Sequence, residues 1–463
     1  MNKKTGRFAS IEIIFCYIFI LNNFLGHAQS LNMKEADAWK YMHMLSADEM
    51  NRRDEIGKYF QATAPPPQPV QSIAEFEPMA GVLIRYPFGI SETLIAALGK
   101  FDTIYTIVKD EIEEQTVRNI YAKNLIPDGH CKFIQVSSNS HWTRDYGPMF
   151  IAGKDSIGVV DFIYNRNRPN DDLVPQTIAS KYKFPYYFMD VIHTGGNYMS
   201  DGNGIAASSD LVYSENTNKS KEQVDQKMKD YLGIRSYYTF EDANGSGIQH
   251  IDCWGKFLDV DKILIRSVPV THPQYNKIEA VASYFKSQKS SWGNNYQVFR
   301  VYTPNDEPYT NSFILNNRVF VPIMGGSNDA PALEAYRNAL PGYQVTGYMG
   351  SWISSDALHC RVHEIADKQM LRIKHTPIRG AQGSKTSFTF ETDIKAYSGK
   401  PLYSDSVLVY CKIDFSPWQS VKMIQQNENK YAVTFSVEKE KIVQYYIYAV
   451  DQSGKKASQP LVG

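Results

Sequence analysis

From Met79 to about Pro377, apolar runs of strand length alternate with longer stretches at helical spacing, the pattern of an α/β unit. The run Gly81-Val82-Leu83-Ile84-Arg85-Tyr86 predicts a strand, and Ile90 to Leu98 predicts a helix. Ser220 with Gln223 forms a capping box, and the helix it opens should stop at Gly233, where a left-handed residue is needed. Pro331 falls where the first turn of a helix tolerates a missing amide hydrogen. No repeat of fixed period stands out. Past Lys374-His375-Thr376-Pro377 the helical spacing disappears. Tyr431, Val433, Phe435 and Val437 share one face of a strand, as do Val443, Tyr445, Ile447 and Ala449, before a turn at Asp451-Gln452-Ser453-Gly454. Short alternating strands in under about a hundred residues predict a small immunoglobulin-like β-sandwich.

Upstream, Ala64-Pro65-Pro66-Pro67-Gln68-Pro69 favours extended polyproline and marks a boundary. The polar, helix-prone stretch before it, Met33 to Phe60, reads as a leader or pro-segment. Lys3, Lys4 and Arg7 precede an apolar stretch from Ile11 to Leu25, followed by Gly26-His27-Ala28, in the order of a secretory signal peptide cut after Ala28. Glu12 departs from that pattern, but the stretch is shorter than the ~20 residues a membrane span needs. The expected organisation is therefore a signal peptide (1–28), a leader and Pro-rich linker (29–70), an α/β domain (71–377) and a β-sandwich (378–463). No membrane span is expected in the mature chain.

Composition narrows the partners. The chain has 463 residues, enough for two folded units, and its 49 basic and 49 acidic side chains give no net charge. That balance offers no global attraction to nucleic acid or an anionic membrane. Removal of the signal peptide takes Cys16 away and leaves Cys131, Cys253, Cys360 and Cys411, too scattered for a dense disulfide framework.

Four islands carry candidate chemistry: HWTRDYGPMF from His141, HTGGNYMSDG from His193, HIDCWGKF from His250, and the pair Asn311 and Cys360, the latter in DALHCRVHE. Together they hold carboxylates for a cation, a sulfur nucleophile and a base that doubles as acid. Were HIDC an extended strand, His250 and Asp252 would share a face and Cys253 would turn away, which favours Cys360 as the reactive thiol. Each signal alone has an ordinary structural counterpart. Asp145 follows Arg144, as in an ion pair; His250 and Asp252 could satisfy one another; Cys360 could be a small buried hydrophobe. His359 and His363 beside Cys360 make only a weak zinc signature, and Gly195-Gly196-Asn197 is a tight turn with the wrong spacing for a nucleotide fingerprint.

Taken together, WTRDYGPMF, VDFIYNRNRPNDD, TGGNYMSDG, HIDCWGKFL, PYTNSFILNNRVFVP and DALHCRVHEIAD resemble the bacterial peptidylarginine deiminases, relatives of agmatine deiminases in the guanidino-group-modifying (pentein) superfamily. The likeness spans roughly Ser72 to Pro377 and extends into the β-rich tail. It implies a five-bladed α/β propeller followed by an immunoglobulin-like domain, and no cofactor or metal. It also implies a nucleophile at Cys360, a general acid/base at His250, guanidinium-binding carboxylates at Asp145 and Asp252, Asn311 in the catalytic core and Trp142 as an aromatic wall. The family's arginines that hold the carboxylate of a C-terminal arginine match Arg166 and Arg168, which would point the same way on an extended backbone. Pairing with Asp171 and Asp172 on a solvated loop is their ordinary alternative. Ile248 would wall the pocket, whereas Gly247 replaces a bulkier aromatic residue of the family. The implied activity is conversion of C-terminal arginine of peptides or proteins to citrulline. Its rivals are agmatine or free-arginine deimination, cysteine protease or amidase activity, and a non-catalytic peptide-binding surface protein.

Overall fold

The computed structural model describes residues 43–462 apart from 59 and 246. The signal-peptide reading and the first part of the leader lie outside the described residues. The chain divides into two compact units, 1–46 and 47–463, and residues 43–46 of the first contain a turn. Among the described residues, no helix is long and apolar enough to cross a membrane.

The second unit is α/β. Its Ala47–Asn51 helix and extended Pro-rich segment lead into five small sheets between residues 71 and 366. Four of these repeat one plan: two antiparallel strands, a helix, and a third strand parallel to the second. In the first, β5 (Met149–Ala152) pairs with β6 (Ile157–Tyr164), and the Val174–Tyr182 helix leads to β7 (Tyr186–His193). A short strand, β1 (Gln71–Ser72), pairs with the outer edge of β5. The same plan recurs with β8 (Met199–Ser200), β9 (Ile205–Ser209) and β10 (Ser236–Phe240). It recurs again with β11 (Gly255–Asp259), β12 (Lys262–Ser267) and β13 (Gln297–Tyr302), and then with β14 (Phe313–Leu315), β15 (Arg318–Ile323) and β16 (Gln344–Met349).

The fifth sheet is built from both ends of this region. β2 (Met79–Arg85) lies parallel to β3 (Thr103–Val108), and β3 to β4 (Cys131–Gln135), while the antiparallel partner of β2 is β17 (His363–Ala366). Covered faces explain the apolar runs that predicted these strands; all eight residues of β6 are buried.

Local expectations hold where local chemistry decides. Ser220 and Gln223 form the reciprocal cap of the Lys221–Leu232 helix, and Gly233 ends it at φ +69°. Ser91 caps the Glu92–Gly99 helix, and Pro331 lies in the first turn of Asp329–Ala339.

Two further four-stranded antiparallel sheets share a core. One comprises β18 (Leu371–Lys374), β19 (Ser387–Ala396), β22 (Ile424–Gln425) and β23 (Lys430–Ser436). The other comprises β20 (Leu408–Ile413), β21 (Gln419–Lys422), β24 (Val443–Val450) and β25 (Lys456–Gln459). Phe390, Ile394, Val409, Met423, Ile447 and Ala449 fill the space, with Tyr431, Val433, Phe435 and Tyr445 against them. These are the faces that alternation predicted. The first of these strands begins at Leu371, ahead of residue 378.

Candidate active site

The leading strand of each of the five sheets is entered through a short turn, and the four sequence islands fall on these five turns, the fourth being divided between Asn311 and Cys360. The Thr143–Tyr146 helix precedes β5, the Gly195–Asn197 turn β8, the Ile251–Cys253 turn β11, Asn311 β14, and the His359–Arg361 turn β17. The Thr143–Tyr146 helix packs against both Gly195–Asn197 and His359–Arg361, and Gly195–Asn197 packs against Ile251–Cys253. Convergence needs close approach. A Cβ on Gly195 would lie 2.1 Å from the Arg144 carbonyl oxygen, and one on Gly196 would lie 2.5 Å from His250 Nδ1 and 2.7 Å from Asp145 Oδ1. Only glycine permits that shelf.

The thiol of Cys360 is fully buried. Asn311 Nδ2 donates to its Sγ at 3.2 Å, while Asn311 Oδ1 accepts from the backbone N–H of His359 at 2.9 Å and of Cys360 at 3.3 Å. One amide thus caps the turn and touches the sulfur it presents. Cys360 Sγ lies 3.8 Å from Asp252 Oδ2. Across the cluster, His250 Nδ1 lies 3.5 Å from Asp145 Oδ1, both side chains fully buried. Burial pushes the Cys360 thiol well above its ordinary value, and the negative charges of Asp252, Asp356 and Asp145 push it further.

Two local expectations are corrected. HIDC is not an extended strand: Ile251–Cys253 forms a 3₁₀ turn, so the face shared by His250 and Asp252 does not follow from strand alternation. Cys253 stays beside Asp252, its Sγ 3.6 Å from Oδ1, but burial and that carboxylate raise its pKa too. The Arg166–Arg168 segment also turns, with Arg168 N–H donating to the Arg166 carbonyl at 2.8 Å. Arg168 reaches Glu49 of the Ala47–Asn51 helix, Nε to Oε1 at 2.8 Å, and lies 5.2 Å from the ring of Trp142. Arg166 is buried and donates to the Asn165 carbonyl at 3.2 Å; its charge helps hold down the pKa of Glu215, which burial raises. Asp171 and Asp172 have other work. Asp171 accepts from Asn139 N–H at 2.6 Å and from the Ser140 hydroxyl at 2.7 Å, and Asp172 from Tyr164 N–H at 3.1 Å. Trp142 and Ile248 are both buried, while Gly247 is exposed.

Arg144 does not pair with Asp145. Its Nη2 donates to Glu364 at 2.7 Å and lies 3.9 Å from Glu75. Glu75, on the loop before β2, was not singled out in the sequence, since nothing around it announces chemistry. It accepts from Lys256 Nζ at 2.8 Å and His359 Nε2 at 2.7 Å. Burial alone would raise the Glu75 carboxyl, but Lys256, His359 and Arg144 hold it well below the ordinary range. His359 Nδ1 meets Asp252 Oδ2 at 2.7 Å. Its ring nitrogens face two carboxylates, an arrangement unlike the zinc ligand its neighbours suggested.

Several known proteins are similar to this chain. The chain is 24% identical over 300 residues to an agmatine deiminase of Medicago truncatula, covering 52% of this chain and 79% of that one. Among solved structures, the agmatine deiminase of Enterococcus faecalis superposes with a TM-score of 0.57 at 20% identity, over 65% of this chain and 96% of that one. The agmatine deiminase of C. jejuni gives 0.55 at 19%, over the same shares. These likenesses establish the pentein fold. The sequence profile of the Porphyromonas-type peptidyl-arginine deiminase matches residues 72–365, most of the chain and every turn described above: the chain belongs to that family of guanidino-group-modifying deiminases, hydrolases of C–N bonds in linear amidines.

Proposed function

We propose that this protein is an exported enzyme that converts the C-terminal arginine of peptides and proteins to citrulline, with release of ammonia. The observation that carries the reading is a buried thiol, Cys360, set against the buried carboxylates Asp252 and Asp145. A guanidinium is planar and permanently charged, with donors on several edges that two carboxylates can grip. Its charge would lower the pKa of the thiol that burial and carboxylates have raised, so binding and activation become one event. Carboxylates are poorly suited to an amide substrate, whose developing oxyanion needs hydrogen-bond donors. This argues against a protease.

In this reading His250 takes the thiol proton as the cation binds, the Cys360 thiolate attacks the central guanidinium carbon, and the C–N electron pair leaves as ammonia with that proton returned by His250. A cationic thiouronium remains on the sulfur. Water, deprotonated by His250, adds to the same carbon, the thiolate departs, and loss of the hydroxyl proton to solvent leaves a neutral ureido group. Asn311 keeps Sγ aimed at the carbon, Asp145 and Asp252 hold the cation, and Trp142 and Ile248 enclose it. No cofactor enters.

Preference for a C-terminal arginine rests on Arg168, beside the Trp142 ring, and on Arg166 nearby in the chain. A carboxylate suits such a pair, and agmatine has none to offer. Because named relatives are agmatine deiminases, agmatine is the second reading. Mass spectrometry of peptides carrying arginine at the C-terminus or internally, with agmatine alongside, separates them. Conversion of the C-terminal peptide alone is expected, and turnover of agmatine alone would overturn the assignment.

The finer architecture belongs to this proposal. The five sheets, with β17 closing onto β2, are read as a five-bladed propeller around the clustered turns, with boundaries near 71 and 377. The paired sheets after it are read as an immunoglobulin-like domain. Export rests on the amino-terminal pattern of basic, apolar and small residues.

A further inference from the structure

The residue before the thiol has no place in the chemistry above, yet it is among the most constrained side chains in the cluster. His359 is 4% exposed. Its Nδ1 contacts Asp252 Oδ2 at 2.7 Å and its Nε2 contacts Glu75 Oε2 at 2.7 Å. Both ring nitrogens thus face carboxylate oxygens within hydrogen-bond distance. The ring is also fixed from behind. The His359 backbone N–H is held by the Asn311 side chain at 2.9 Å and its carbonyl at 3.1 Å. Glu75 is pinned by Lys256 Nζ at 2.8 Å and by the Ile314 N–H at 2.6 Å. Asp252, by contrast, sits on a three-residue turn, where its carboxylate plane depends on what its oxygens touch.

We propose that His359 is a positioning residue: its Nδ1–H fixes the plane of the Asp252 carboxylate, with Glu75 as the anchor for Nε2–H, and this strut sets the affinity of the site for a guanidinium. The proposal rests on the reading of Asp252 as a guanidinium ligand. Paired donors of a guanidinium meet a carboxylate edge-on, so a rotated carboxylate loses one of the two bonds. The ordinary alternative is that His359 merely satisfies buried acids, in which case its two contacts are equivalent.

Asparagine and glutamine separate the two, because they carry the amide nitrogen at about the positions of Nδ1 and Nε2. His359→Asn keeps the donor to Asp252 and loses that to Glu75; His359→Gln does the reverse. The full-length His359→Asn enzyme should stay within about fivefold of wild-type kcat/KM, whereas His359→Gln should fall about 30- to 100-fold, chiefly through KM. A second readout needs no turnover. Methylguanidinium should protect Cys360 from iodoacetamide, with half-protection unchanged in His359→Asn and at about tenfold higher concentration in His359→Gln. Equal losses in the two variants, or the larger loss in His359→Asn, overturn the strut. Should methylguanidinium fail to protect even the wild-type thiol, the reading of the site itself falls. If either variant lacks a cooperative thermal transition, ring nitrogen-15 resonances of the wild-type protein decide. The Nδ1 signal of His359 should move when methylguanidinium binds, and an unmoved signal overturns the proposal.

Discussion

The thiol cluster and the arginine-bearing loop after β6 are adjacent in the site but built on opposite principles. Cys360, Asn311, Asp252, His250 and Asp145 come from turns leading four different sheets, separated by tens to hundreds of residues, and each is locked by neighbours from the others. Arg166 and Arg168 come from one loop, held by two buried acids at its base and by Glu49 at its tip. The cluster geometry is thus a property of the whole α/β region, whereas in the proposed function recognition of the far end of the substrate would belong to one loop and one helix.

The largest effect should come from the cluster. Cys360→Ala should lower kcat on every guanidinium substrate by at least about 10⁴-fold, measured as citrulline or ureido product, with the thermal transition retained. Measurable residual turnover above background would remove Cys360 as nucleophile. Asp252→Asn should cost about 10²–10³-fold in kcat/KM, equally for peptide and agmatine. A substrate-selective loss would move Asp252 out of the shared centre and blur the division.

Arg168→Ala should cost about 10- to 100-fold on a peptide ending in arginine, with any agmatine turnover unchanged. Parallel losses on both would show that the loop and the cluster are not separable. Glu49→Gln replaces the ion pair on Arg168 with a weaker neutral contact and should raise kcat/KM for the peptide severalfold; a fall would mean that Glu49 orients the arginine and does not compete for it.

The smallest effect is in pH. Burial raises the Asp172 carboxyl to about 7 and Asp171 to about 6, while both would titrate near 4 in an unfolded loop. The folded state therefore binds more protons between about pH 4 and 7, and stability falls as pH rises through that window. Limited proteolysis within residues 165–173 should increase modestly from pH 5.5 to 8, and Asp172→Asn should flatten the rise. A flat wild-type profile would show that these acids do not limit the loop.

The two regions were not equally legible in the sequence. The capped helix from Ser220 to Gly233 and the alternating faces of β23 and β24 could be read directly, because neighbours in the chain decide them. The cluster was legible only as motifs. Nothing local says that the turns at Asp145, Asp252, Asn311 and Cys360 meet, and strand alternation gave the wrong local geometry for His250 and Asp252. The fivefold recurrence was invisible because what repeats is topology. Leading strands begin at residues 149, 199, 255, 313 and 363, a spacing of 50 to 58 residues, but the turns before them share no sequence that would mark it. Glu75 and His359 were missed as a pair because an ion-pair network announces itself only when distant residues are seen together. The doublet Gly195-Gly196 was the one available hint, since adjacent glycines before a strand signal close backbone approach.

The seam between β2 and β17 sets a clock on the enzyme. β17 starts three residues after Cys360, and it docks through His363 opposite Leu83, Glu364 opposite Val82 and Ile365 opposite Gly81. A ribosome releasing this polypeptide must deliver some 280 residues between the two partners before the seam can zip. Until then the turn that carries Cys360 has no closed sheet to lead into.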